Sequence, residues 1–221
     1  MLLTETISSC TTAIQARRNA QERKRSSDEY AKALSKLAQT STSLKSTLDC
    51  ASKLKSDGIV DHPLITQQMQ EELLDCINNC GNGIHESTLT SEIVEVLRAK
   101  SEAYADQIKA VWKDASTKYS EGVKGYISMI VGFSDDPQHT RKLIDSIEKT
   151  VAGNVSIQTI NRLVSDVAEA QKIMASFSLS PEIETFLKKV SGNRATLSDL
   201  TPEILGWLKE HNLKGKLHIR F

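Results

Sequence analysis

Residues 30–51 read Tyr30-Ala31-Lys32-Ala33-Leu34-Ser35-Lys36-Leu37-Ala38-Gln39-Thr40-Ser41-Thr42-Ser43-Leu44-Lys45-Ser46-Thr47-Leu48-Asp49-Cys50-Ala51. Within this stretch Tyr30, Leu34, Leu37, Ser41, Leu44, Leu48 and Ala51 follow one another in alternating steps of four and three. Those steps place them on one stripe of an α-helix, and a stripe sustained over three heptads is a coiled-coil seam. A helix unbroken from Tyr30 to Lys55 spans roughly 39 Å at 1.5 Å per residue. So long an apolar stripe needs a helical partner along its length, and Leu34, Leu37, Leu44 and Leu48 are candidate contact residues.

Towards the amino terminus, Leu3, Ile7, Cys10 and Ile14 form an earlier stripe whose frame is offset by one residue, which predicts a kink or a skip between the two. The intervening residues 17–29 carry no apolar stripe. They hold Arg17, Arg18, Arg23, Lys24 and Arg25 against Glu22, Asp28 and Glu29, so the helix there is either exposed to solvent or locally broken. Five cations so close together are enough for several phosphate contacts. No aromatic residue is interleaved with them to stack on bases.

In the other direction, Asp57-Gly58 and then Asp61-His62-Pro63 supply a helix stop and a turn. Ile65, Met69, Leu73, Cys76, Ile77 and Cys80 mark one face of a shorter helix that is expected to end at Gly81-Asn82-Gly83. A second long stripe begins at Leu89 and continues through Ile93, Val96, Leu97, Tyr104, Ile108 and Val111 towards Gly132. Gly122, Gly125 and Gly132 either weaken its far end or permit a close helix crossing. Asp136-Pro137 then reads as an N-cap followed by a proline at the first helical position. Two helices follow, with faces marked by Leu143, Ile147 and Val151 and by Ile160, Val167 and Phe177; Gly153-Asn154 and a Ser156 cap separate them, which reads as a helical hairpin.

The last stretch contains an echo. Leu179-Ser180-Pro181-Glu182-Ile183 is repeated as Leu200-Thr201-Pro202-Glu203-Ile204, and each copy supplies a hydroxyl cap, a proline and a first-turn glutamate. Two short helices are therefore predicted, with Phe186 and Trp207 as aromatic anchors. Lys216-Leu217-His218-Ile219-Arg220-Phe221 alternates with period two, which is a strand pattern. Such a strand needs a neighbour, either Arg194 to Leu197 or the sheet edge of another protein, where Ile219 and Phe221 would make contact.

Composition limits the functional classes. The chain has 221 residues, with Lys plus Arg equal to Asp plus Glu at 28 each, so no global field draws it to nucleic acid or to an anionic membrane. Aromatic residues make up only 5% against 39% hydrophobic, a balance suited to extended helices joined by aliphatic side chains. Met1 to Cys10 does not resemble a signal peptide, and the densest apolar run, Tyr126 to Phe133, is far short of the ~20 residues of a membrane span. A cytoplasmic chain with reduced cysteines is expected. Cys76, Cys80 and His85 are metal-ligand residue types, but their spacing is not that of a zinc knuckle, and a helical Cys pair packs as small apolar residues. The histidines have no Ser, Cys or carboxylate partner at motif spacing, and no Gly-rich phosphate loop occurs. No catalytic, metal or cofactor residues are assigned.

These features predict an all-α, elongated helical bundle: coiled-coil-like long helices over residues 1–133, a hairpin over 134–178, and a helical carboxy-terminal module over 179–221 ending in a short β-strand. The expected function is that of a non-catalytic scaffold or interaction subunit in a homo- or hetero-oligomeric assembly, such as an accessory subunit of an ATPase or nuclease complex. Two alternatives are a nucleic-acid-binding accessory protein acting through residues 17–25, and a membrane-active helical protein that exposes Tyr126 to Phe133.

Overall fold

The computed structural model describes residues 2–134, 136–177, 179–192, 194–211 and 213, with side chains for all of these except residues 2–14 and 24. The fold is an all-α helical bundle. Among the described residues there are seven α-helices, α1 (Leu2–Ser56), α2 (Gln67–His85), α3 (Ser91–Ile130), α4 (Pro137–Ala152), α5 (Ile157–Phe177), α6 (Pro181–Ser191) and α7 (Pro202–Glu210), with a 3₁₀ turn at Leu197–Asp199. They form two compact units, one from residues 1–52 with 62–108 and the other from residues 53–61 with 109–221.

In the first unit α1, α2 and α3 run up, down and up. The Tyr30 hydroxyl donates to the Ile84 carbonyl at the far end of α2 (3.4 Å), which sets α1 and α2 antiparallel. Glu72 of α2 pairs with Lys100 of α3 (2.6 Å), and Lys36 of α1 pairs with Glu95 of α3 (3.1 Å). The core between the helices is aliphatic, with Ala33, Leu44, Leu73, Val94 and Leu97 buried. α1 is continuous through the basic stretch, where residues 15–23 and 25–29 are exposed; of the two readings of that stretch, the exposed helix is the one the structure has.

The seam of α1 is shifted from the sequence expectation. Leu44 and Ala51 are buried and Leu37 is half-buried, but the intervening seam positions are Ala33 and Thr40, at 0% and 5% exposure, and not Leu34 and Ser41. The predicted frame and the observed one share every second position. A small residue lets α3 approach α1 closely, and that closeness decides which neighbour of the shared positions turns inward.

α2 also departs from expectation by running through Gly81-Asn82-Gly83 to His85. Gly83 is where Leu89 crosses: a Cβ there would lie 3.1 Å from the Leu89 Cα, and the amides of Thr88 and Leu89 both donate to the Gly83 carbonyl. This glycine serves a close approach rather than a helix end. Gly122 and Gly125 lie inside α3 with open space around them, so they mark no close crossing.

In the second unit α4 and α5 form the expected antiparallel hairpin, tied by Ser146 to Asp166 (2.6 Å) and by His139 to Glu169 (2.9 Å). Asp136, Ser156, Ser180 and Thr201 all accept a backbone N–H of the first turn that follows them, so the caps read from the sequence are in place. α6 and α7 pack around Trp207, which is 5% exposed and donates its indole N–H to the Phe177 carbonyl (3.2 Å). Phe133 meets the Trp207 ring edge-on at 6.2 Å.

Among the described residues there is no strand. The alternating segment 216–221, with Ile219 and Phe221, lies outside the described residues. Its expected neighbour is not extended throughout, because Leu197 opens the 3₁₀ turn and the Thr196 amide donates to the Asp199 carboxylate (2.8 Å).

Candidate protein-interaction groove

Helix α1 presents two flanks to its neighbours. Thr40 and Ser43, with Lys36, line a polar cleft against Arg98 and Ser101 of α3. The opposite flank carries Leu34, Ser41 and Leu48, spaced by seven, and lies on the α2 side. On α2 the core face is Met69, Leu73 and Cys80, and beside it runs a second stripe of Leu74, Ile77, Gly81 and Ile84 in steps of three, four and three. This second stripe is open to solvent. Leu74 is 56% exposed, Ile77 44%, Ile84 42% and Leu34 37%.

Where this stripe begins, a groove of about 380 Å³ lies between the two helices, floored by Leu44, Leu73 and Ile65 and walled by Leu48, Gln70, Leu74 and Ile77. Its outer lips are polar: Glu71, Asp75 and Asn78 on α2 and Lys45 on α1 are all exposed. A concave apolar strip rimmed by polar residues is the form taken by a helix-binding surface. The side chains lining the groove are aliphatic apart from Gln70.

The groove gathers some of the sequence-predicted contact residues and leaves out others. Leu44 and Leu48 line it and half-buried Leu37 packs against the core, whereas Leu34 is exposed on α1 beyond the groove's end. Phe186 and Trp207, expected as anchors for a partner, are instead 2% and 5% exposed within the core of the second unit. They are occupied because the two capped helices close around them. Sequence reasoning missed Leu74 and Ile84, because it assigned α2 a single apolar face and ended the helix before Ile84. The spacing of Leu74, Ile77 and Ile84 is the signal that could have found them.

Other candidates are placed as follows. Arg17, Arg18, Arg23 and Arg25 are exposed along α1, with Arg25 paired to Glu29 (3.1 Å); the Lys24 side chain is outside the described set. Cys76 is half-buried and Cys80 buried, and burial, then the neighbouring Cys76, pushes the Cys80 thiol above its ordinary range. His85 is exposed at the end of α2, and among the described residues no three His, Cys, Asp or Glu side chains gather as a metal site. Tyr126 to Phe133 is packed into the second core, with Ile127 and Ile130 at 0% exposure, and among the described residues no helix is long and apolar enough to cross a membrane.

Two polar ties were not foreseen. The Glu72 carboxylate accepts from Lys100, Gln68 and Tyr104, which hold it below the usual carboxylate range and fasten α2 to α3. Asp199 is held at about 2 by Lys189 and by the Thr196 amide and hydroxyl. Both ties join helices or cap turns. No protein-family model, curated protein or solved structure matches the chain.

Proposed function

We propose that this protein is a non-catalytic interaction subunit that docks into a larger protein assembly through the α1/α2 groove. The observation that carries this reading is the row of half-exposed Leu74, Ile77 and Ile84 beside Leu34, a continuous apolar strip on a helix whose other face is already packed. Covering the open half of each side chain contributes on the order of 1 kcal/mol, so a helix seated along the strip gains enough to bind reversibly. The heptad pattern over residues 30–51 belongs to the same function, because it supplies one wall of the groove. A strand at residues 216–221 adding to a partner's sheet edge, with Ile219 and Phe221 as contacts, is a second docking element of the same proposal.

The test is purification from the native host at native expression, comparing the unmodified chain with a Leu74→Asp/Ile77→Asp variant. The unmodified chain is expected in stoichiometric complex, with a second copy or with another protein, and the variant alone. Recovery of both as free monomers would overturn the reading.

The exposure of Arg17, Arg18, Arg23 and Arg25 favours a second reading, in which this part of α1 contacts a nucleic-acid backbone. Replacing these four residues with Glu should then abolish a salt-sensitive shift of DNA or RNA. Unchanged binding, or none by the original chain, disposes of it.

A further inference from the structure

We propose that the exposed apolar strip from Leu74 to Ile84, which opens from the α1/α2 groove, is covered by the amino-terminal arm of a second copy of this chain, the two copies exchanging arms across a two-fold axis. The proposal rests on this face being a docking surface and names its occupant, so that the assembly joined through this face is the dimer of this chain. Helix α1 leaves the three-helix unit at Tyr30, where its neighbour α2 ends, and its backbone continues helical to Leu2. That leaves an arm of roughly 42 Å at 1.5 Å per residue. Where its side chains are described, at residues 15–23 and 25–29, the arm is exposed. An isolated helix of this kind is marginal in water and needs a surface to lie against.

The arm's first turns carry Leu3, Ile7, Cys10 and Ile14 at steps of four, three and four, which is the apolar repeat of a helix with a single partner. Leu3 to Ile14 covers roughly 16 Å and Leu74 to Ile84 roughly 15 Å, so stripe and groove agree in length. At Gly81 the groove has open space where any other residue would project, which lets a helix backbone come close.

The arm cannot serve its own groove. It is the direct continuation of the helix that forms one wall, so it points past the end of α2, and folding back would require α1 to break. A second molecule must supply it.

The charges of the exposed spacer identify that molecule as another copy. An antiparallel crossing centred on Arg23 sets Arg17 level with Glu29 of the second copy, Arg18 level with Asp28, and Glu22 level with Lys24, while Arg23 meets its own copy on the axis and Arg25 lies level with Gln21. The same register brings residues 3–14 of one copy level with residues 32–43 of the other, the stretch of α1 that carries Leu34 and Ser41 and runs alongside the α2 strip towards Ile84. One geometry thus pairs three of the five cations with acids and seats the apolar stripe. An unrelated helix gives no reason for the spacer to be complementary to itself, and a two-fold exchange closes on a dimer without leaving a free groove.

Size-exclusion chromatography with light scattering on the full chain is the experiment. The original chain is expected at twice its 24.4 kDa mass. An arm variant, Ile7→Asp/Ile14→Asp, and a groove variant, Leu74→Asp/Ile77→Asp, are each expected at one chain mass with helical circular dichroism retained. Mixed in equal amounts, they should recover a dimer weaker than the original, because the first keeps its groove and the second its arm. The milder Ile7→Ala/Ile14→Ala variant should weaken the dimer at least tenfold, which separates loss of contact from loss of the helix. An original chain that runs as a monomer, variants that remain dimeric, or a mixture that does not re-associate would each overturn the proposal. A monomer that still loses a native partner on Leu74→Asp/Ile77→Asp sinks the arm exchange and leaves the docking function standing; a monomer that holds no partner sinks both.

Discussion

Around Trp207 the chain buries ring against ring, with Phe133 and Phe177 beside the indole, whereas between α1, α2 and α3 it buries single aliphatic and small side chains in rows. The first arrangement closes on itself. Two short capped helices wrap a bulky centre, and the indole N–H finds a carbonyl inside the same core. The second arrangement is a seam, and a seam between helices has a free edge wherever apolar residues extend further round the helix than its neighbours reach. Leu74, Ile77 and Ile84 lie at that edge. Closed cores thus use their large anchors internally, and open ones leave modest aliphatic residues half-exposed at the edge.

The contrast can be broken most directly at Trp207. Trp207→Ala removes a 5%-exposed ring and leaves the Phe177 carbonyl without its indole donor, and should cost about 3–5 kcal/mol. Urea denaturation followed by circular dichroism measures it, and a loss under ~1 kcal/mol would mean that ring packing does not hold this core.

A smaller effect sharpens the register of the seam. Ala33 is fully buried, so Ala33→Leu should overpack the contact and destabilise by about 1–3 kcal/mol. In the Ile7→Asp/Ile14→Asp background, which lacks the proposed arm contact, Leu34→Ala, one residue along and exposed, should change stability by less than ~0.5 kcal/mol. If the two results were exchanged, the seam would run through Leu34 after all.

Two glycines of α2 should respond with opposite signs. In the Ile7→Asp/Ile14→Asp background, where no arm lies over the strip, Gly81→Ala enters open space mid-helix and should stabilise by up to ~1 kcal/mol. Gly83→Ala places a methyl 3.1 Å from the Leu89 Cα and 3.3 Å from its amide nitrogen, and backbone cannot swing aside, so it should destabilise despite the better helix former. Paired thermal melts decide it.

The least effect is expected from acid at the Asp199 cap. Lys189 first, then the Thr196 amide and hydroxyl, hold this carboxyl at about 2, below its unfolded value near 3.9. A depressed folded pKa means that the contribution is complete above about pH 4 and disappears as pH falls towards 2. Asp199→Asn should flatten that limb of a urea midpoint against pH while leaving the neutral midpoint near a constant offset. An unchanged limb would show that the cap is unformed.

Much of the helical plan was legible from residues alone. The caps at Asp136, Ser156, Ser180 and Thr201 were readable because a cap is a local device: a side-chain oxygen and an amide three residues on, with proline fixing the entry. Gly58 was similarly readable as the end of α1, where it adopts φ +69°. Gly81-Asn82-Gly83 looked like the same kind of signal and was not, because the reason for Gly83 is Leu89, a contact made only after the chain has turned back.

Residue spacing alone therefore settled that this chain is helical and where most helices start, because hydrogen bonds and caps act within a few residues. It could not choose between Ala33 and Leu34, or show that Trp207 is enclosed and Leu74 open, because those depend on how closely one helix approaches another. Packing alone distinguishes a stripe that is covered from one left open.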